Sequence, residues 1–293
     1  MKRNALAKLW ACSLGILLLC ASPVEAQRIT SPLQQQTYTR QEVLRELAKA
    51  NVIYLGETHD SVKDHKAQLD IIRELHRKNP KIAIAMEMFQ RPFQKVLNRY
   101  LAGELTEEQL VEQTEYNQRW GFPWEYYAPI LRFALENQLP VLAINTPTEI
   151  TRKVARMGLE SLTEQERRYI PPFDEIRTDN AEYRQKLLEV FKLHAELGKG
   201  FSDGFDRFFL AQVVWDETMA EVIAQFALAN PDYQIIVIAG QGHIQYGHGI
   251  PSRVQRRIGS ENFLQRLILL NPAPEILSDK DKRIADYFWE NAD

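Results

Sequence analysis

Val52-Ile53-Tyr54-Leu55 runs straight into Gly56-Glu57-Thr58-His59, and this stretch decides how the chain is read. A short apolar run rich in β-branched and aromatic residues, closed by glycine and polar residues, predicts a buried strand. The pattern recurs where Ile82 to Met86 meets Glu87, and where Ile235 to Ala239 meets Gly240-Gln241-Gly242-His243. As parallel strands of one sheet, the three runs would bring Glu57, His59, Glu87 and His243 together beyond its carboxyl edge. Open α/β sheets bind their ligands at that edge, so ionisable residues there have the layout of a site. The plainer alternative makes each an ordinary capping or turn residue.

Outward from these runs, strands and helices alternate. Gln41 to Lys49 and about Lys63 to Lys78 carry helical periodicity, the second placing His65 and His76 on an exposed or half-buried face. From Arg91 to Gln138 the pattern is helical but broken, with a capping-box spacing at Thr106-Glu107-Glu108-Gln109. Val141 to Ile144 predicts a third strand, Tyr233 to Ala239 a fourth and Phe263 to Leu270 a fifth. Asn180 to Leu197 and Phe205 to Ala229 read as long helices separated by a Gly-rich turn, Gly198 to Gly204. The expected architecture is α/β, a mostly parallel central sheet flanked by helices. A helical insertion over about 148–230 would cap the carboxyl edge. A single domain is expected over 27–293, with its core at about 40–271, and the charged segment Asp279 to Asp293 is given no role.

The first 26 residues read as a leader. Lys2, Arg3 and Lys8 form a basic start, Leu9 to Leu19 an apolar core, and Val24-Glu25-Ala26 a small-residue cleavage signal. An exported, periplasmic protein is the expectation. The alternative is a lipid anchor at Cys20, because Leu17-Leu18-Leu19-Cys20 resembles a lipobox. Both cysteines, Cys12 and Cys20, fall in this leader, which leaves no thiol for a disulfide or a thiolate metal site after cleavage. Removing Lys2, Arg3, Lys8 and Glu25 from 36 basic and 39 acidic residues leaves 33 against 38. That acidic balance points away from nucleic acid.

Neutral imidazole is the commonest metal ligand, and His59 and His243 with Glu57 or Glu87 would make a mixed nitrogen and oxygen site for Zn, Mn or Fe. Such a cation polarises a carbonyl or activates water, with the remaining glutamate as general base. A hydrogen-bonded polar cluster without metal is the bland alternative.

Leu55-Gly56-Glu57-Thr58-His59-Asp60, Met86-Glu87-Met88-Phe89, the Trp120 to Leu131 segment and Gly240-Gln241-Gly242-His243 through Gly249-Ile250-Pro251 together resemble the ChaN haem-binding family. Its superfamily also holds Tiki, TraB-type proteins and erythromycin esterases, and the resemblance covers about Val52 to Arg257. It implies two functions. One is an exported haem-binding protein of iron uptake, a homodimer around cofacial haems, with a tyrosine on iron. The other is a metal-dependent hydrolase, a peptidase or esterase, whose histidines and glutamates match His59, His243, Glu57 and Glu87.

A phenolate ligand to haem iron needs a positive or donor group nearby, because free tyrosine titrates near pH 10. Tyr246, between His243 and His248, is the first candidate. Tyr127, beside Tyr126 and the aromatic Trp120, Phe122 and Trp124, is the second, although such clusters are usually core. Arg119, Arg253 and Arg256 are candidates for the propionates or, equally, surface residues. His65 is a candidate to orient a ligand; His76 and His194 carry less weight.

Overall fold

The computed structural model describes residues 27–196, 204–278 and 284–291. The expected leader and all of the Gly-rich turn except Gly204 lie outside them. Eight strands form one sheet among the described residues: β1 (Arg28–Ser31), β2 (Gln36–Tyr38), β3 (Val52–Glu57), β4 (Ile82–Gln90), β5 (Val141–Asn145), β6 (Gln234–Gly240), β7 (Gln265–Leu270) and β8 (Tyr287–Glu290). Their order is β2-β1-β8-β7-β3-β6-β4-β5. All pairings from β8 to β5 are parallel, whereas β1 pairs antiparallel with β2 and β8.

The five strands expected from the apolar runs are present. β1, β2 and β8 were not expected. β8 falls in the terminal segment given no role, where Tyr287-Phe288-Trp289 supplies the buried residues. The sheet therefore extends beyond the core expected at about 40–271.

Period-two alternation divides the core into two layers. On β6, Ile236 and Ile238 face one layer, and Ile235, Val237 and Ala239 the other. The first layer is covered by α1 (Arg40–Leu47), α2 (Val62–Lys78), α3 (Gln94–Leu101), α4 (Glu107–Gln113), α5 (Tyr116–Arg119) and α6 (Ala128–Glu136). Thr39 and Thr106 start α1 and α4 with capping boxes, the second as its spacing predicts.

The segment expected as an insertion contains α7 (Thr148–Met157), α8 (Glu164–Arg167), α9 (Ala181–Glu196) and α10 (Phe205–Ala229). Ile150, Val154, Tyr183, Leu187, Phe209 and Val213 form a satellite core there. The later part of α10 behaves differently: Met219, Ala220 and Ile223 pack on the sheet, as in an ordinary crossover helix, beside α11 (Ile250–Ile258). Among the described residues no helix is long and apolar enough to cross a membrane.

Candidate functional site

Parallel register sets Glu57 at the end of β3 directly beside Gly240 at the end of β6. The chain then turns through Thr58, whose amide donates to Asp64 Oδ2 at 2.8 Å. Asp64 is itself held by Ser61 Oγ at 2.7 Å and Asn271 Nδ2 at 2.5 Å. This anchored turn swings His59 back over the strand end, where its Nδ1 lies 2.8 Å from Glu57 Oε1.

Neither Gly56 nor Gly240 has positive φ, so neither is glycine for the sake of a left-handed turn. They supply room instead. A Cβ on Gly240 would sit 3.0 Å from His59 Cε1 and Nε2, and one on Gly56 would sit 2.9 Å from Leu269 Cδ2.

Glu57 is fully engaged. Tyr127 donates its hydroxyl to Oε1 at 2.5 Å and Gln68 its amide to Oε2 at 2.6 Å, while His65 Nδ1 lies 3.3 Å from Oε2. Burial alone would raise its pKa, but the hydrogen bonds from His59, His65 and Tyr127 hold it at about 2. Glu57 is thus held as a carboxylate that orients His59. Burial would lower the pKa of His59, and its bond to Glu57 and the charge of Glu87 raise it instead.

His65 corrects the expectation of an exposed or half-buried residue. It is buried, stacks on Tyr126 at 4.8 Å and places Nε2 3.1 Å from the carbonyl of His59. His76 lies against Phe133 instead.

The second acid–histidine pair forms one strand over. β4 continues to Gln90, but its pairing with β6 stops at Met86, and its register with β5 shifts between Met86 and Gln90. Glu87 Oε2 accepts from the Gly240 amide at 2.8 Å, and its Oε1 lies 3.5 Å from His243 Nε2. On the other side of the ring, His243 Nδ1 lies 2.6 Å from Oδ1 of Asp216, a residue of α10. Burial would depress the pKa of His243, yet the two carboxylates push it up to about 10. For Glu87 burial acts upward, and His243 and His59 together bring the pKa down.

All four strand-end residues therefore meet, joined by three that pattern reading passed over: Asp216, Gln68 and, through its hydroxyl on Asp216, Tyr183. Adjacent acids Asp216-Glu217 inside the apolar run of α10 were the available signal, since unpaired charges are rarely buried.

No group of three or more His, Cys, Asp and Glu among the described residues has the arrangement of a metal site. Glu57 pairs with His59, and Glu87 with His243, with Tyr127, Gln68, His65 and Asp216 as their further partners. Each carboxylate oxygen of Glu57 faces two donors, and each imidazole sets its Nδ1 on a carboxylate, Glu57 for His59 and Asp216 for His243.

The haem candidates divide sharply. Tyr127 is fully buried with its hydroxyl on Glu57, and burial together with that carboxylate pushes its pKa far up, opposite to what a phenolate ligand requires. Tyr246 is half-buried at the rim of a groove of about 550 Å³ between α9 and the loop after β6. His248 stacks on it at 5.6 Å with 15° between planes, and Lys186 Nζ lies 4.9 Å from the ring centre. The three arginines are held by acids. Arg119 pairs with Glu115 and Glu149, while Arg253 and Arg256 converge on the buried Glu217.

A mostly parallel α/β sheet with two acid-bound histidines at its carboxyl edge and a tyrosine-bearing groove beside them defines the class. The chain belongs to the family described as haem-binding uptake, Tiki superfamily, ChaN, whose pattern matches residues 43–254. It is 29% identical over 268 residues to Protein RETICULATA-RELATED 5, chloroplastic, of Arabidopsis thaliana; the match covers 86% of this chain and 36% of that protein's length. In fold it is similar to the solved structure of cofacial heme binding to ChaN of Campylobacter jejuni, with TM-score 0.72, 20% identity and coverage of 91% and 97% of the two chains. An erythromycin esterase mutant in its open conformation aligns with TM-score 0.48 and 18% identity, over 84% of this chain and 76% of its own.

Proposed function

We propose that this chain is a haem-binding protein that takes ferric haem in the groove beside α9, with Tyr246 on the iron. The observation that carries the reading is the setting of Tyr246, a half-buried phenol with a lysine ammonium against its ring. A cation beside a phenol favours the phenolate, the form that binds ferric iron. Burial would lower the pKa of Lys186, but Tyr246 and Glu189 hold it up, so the ammonium persists. The donor set fits haem, which when bound would supply the redox and ligand chemistry of its iron. His248, parallel to Tyr246, would wall the porphyrin face. Family membership and the fold shared with the Campylobacter protein support the reading. Export to the cell envelope, a role in haem uptake, and a homodimer on loading are parts of the same proposal, resting on the leader pattern and on the cofacial binding named for that neighbour.

Haemin titration of the mature protein, followed by absorbance and solution mass, tests it. A saturable phenolate-type ferric spectrum should vanish in Tyr246→Phe and persist in Tyr127→Phe, with mass doubling on loading. An unchanged spectrum in Tyr246→Phe would overturn the assignment.

A second reading is acid–base hydrolysis at the strand ends. It is favoured by one observation: the side chain of His59 stays 28% exposed while its Nδ1 is locked on a buried carboxylate. Turnover of model esters or peptides that is lost in His59→Ala and insensitive to Tyr246→Phe would support it.

A further inference from the structure

The strand-end cluster and the groove of Tyr246 are joined by a line of side-chain contacts. Glu87 Oε1 lies 3.5 Å from His243 Nε2, and His243 Nδ1 lies 2.6 Å from Asp216 Oδ1. The other oxygen of Asp216 accepts the hydroxyl of Tyr183. Tyr183 belongs to α9, the helix whose Gln185 and Lys186 line the groove. Its ring faces His248 at 6.2 Å, and His248 stacks on Tyr246. Glu87, His243, Asp216 and Tyr183 are all buried, and His248 and Tyr246 at the groove are half-buried. Arg253 closes the junction from below: it lies 5.2 Å from the Tyr183 ring centre and donates to the carbonyls of His248 and Gly249.

A buried tyrosine needs one acceptor and a buried carboxylate needs donors, but nothing in packing alone requires that they join a groove wall to the histidine of another cluster. We propose that Tyr183 is a positioning residue that couples the two sites. A ligand seated against α9 and His248 displaces Tyr183. That changes what Asp216 offers to His243 and so how His243 sits against Glu87. Coupling of this kind is reciprocal: a change at Glu87 alters binding in the groove by the same factor. The ligand's identity rests on the haem reading above, whereas the coupling rests on the hydrogen bonds and ring contacts of this line.

The experiment compares the wild-type chain, Glu87→Gln, Tyr183→Phe and the double variant. With six histidines in the sequence, side-chain ¹H–¹⁵N spectra of the ligand-free proteins are readable. Glu87→Gln should move the His248 resonances in the wild-type background and leave them in place when Tyr183 is Phe. In haemin titrations the same substitution should change affinity by about fivefold with Tyr183 present and by much less without it. Asp216→Asn interrupts the same line and replaces Tyr183→Phe if that variant does not fold. An unmoved His248, or equal shifts in both backgrounds, would overturn the coupling and reduce Tyr183 to packing. If haemin binds none of the proteins, the haem reading falls and the imidazole spectra still decide the coupling.

Discussion

His243 Nδ1 lies 2.6 Å from Asp216 Oδ1, a contact that ties the turn after β6 to the middle of the longest helix. With Glu87 on the opposite side of the ring, it keeps the imidazole protonated far above its ordinary value of 6.5, to about 10. Between those values the folded chain holds a proton that the unfolded chain has lost. This contribution to stability is complete below pH 6.5 and disappears as pH rises through about 10. Urea midpoints measured from pH 6 to 10 should fall for the wild-type chain and flatten in His243→Gln; parallel curves would contradict the assignment.

Glu57 gives the opposite sign. Its folded pKa of about 2 lies below the ordinary glutamate value of 4.5, so its stabilisation is present above 4.5 and is lost as pH falls through about 2. Glu57→Gln leaves two histidines without their counter-charge in a buried site. It should cost about 3 kcal/mol at neutral pH, read from chemical denaturation, and weaken the acid dependence.

Tyr127→Phe removes one donor from Glu57 without opening a cavity. The expected loss is about 1 to 2 kcal/mol in denaturation, with a wild-type haemin spectrum. Loss of the spectrum would return Tyr127 to consideration as a ligand.

Gly240 and Gly242 lie two residues apart but should respond differently. Gly240→Ala places a methyl 3.0 Å from the His59 ring and should drive that imidazole off Glu57, seen as a moved His59 signal. Gly242→Ala meets nothing within 4 Å and should change stability by less than about 1 kcal/mol in the same assay.

Glu217 is buried with Arg253, Arg256 and Arg257 around it. Glu217→Gln should cost about 3 to 5 kcal/mol by stranding these charges, measured by thermal or chemical unfolding, and a smaller effect would mean that water reaches the arginines.

The sequence by itself determined the parallel centre of the fold and the four strand-end residues. Apolar runs such as Ile235 to Ala239 are long enough to be buried on both faces, and each is punctuated where its strand ends. β1, β2 and β8 were not legible because such short strands, of three or four residues, draw their stability from pairing rather than from pattern. Only the tertiary structure decided the roles within the site. Whether Glu57 is a base or a saturated anchor depends on Tyr127, Gln68 and His65, which reach it from two helical segments whose spacing to β3 no local pattern encodes. His243 has no partner in its own turn; its charge is set by Asp216, 27 residues earlier, and by Glu87 on a neighbouring strand. Electrostatics acts through space and burial, so a chain read in order shows which groups are present, and only folding shows which of them face one another.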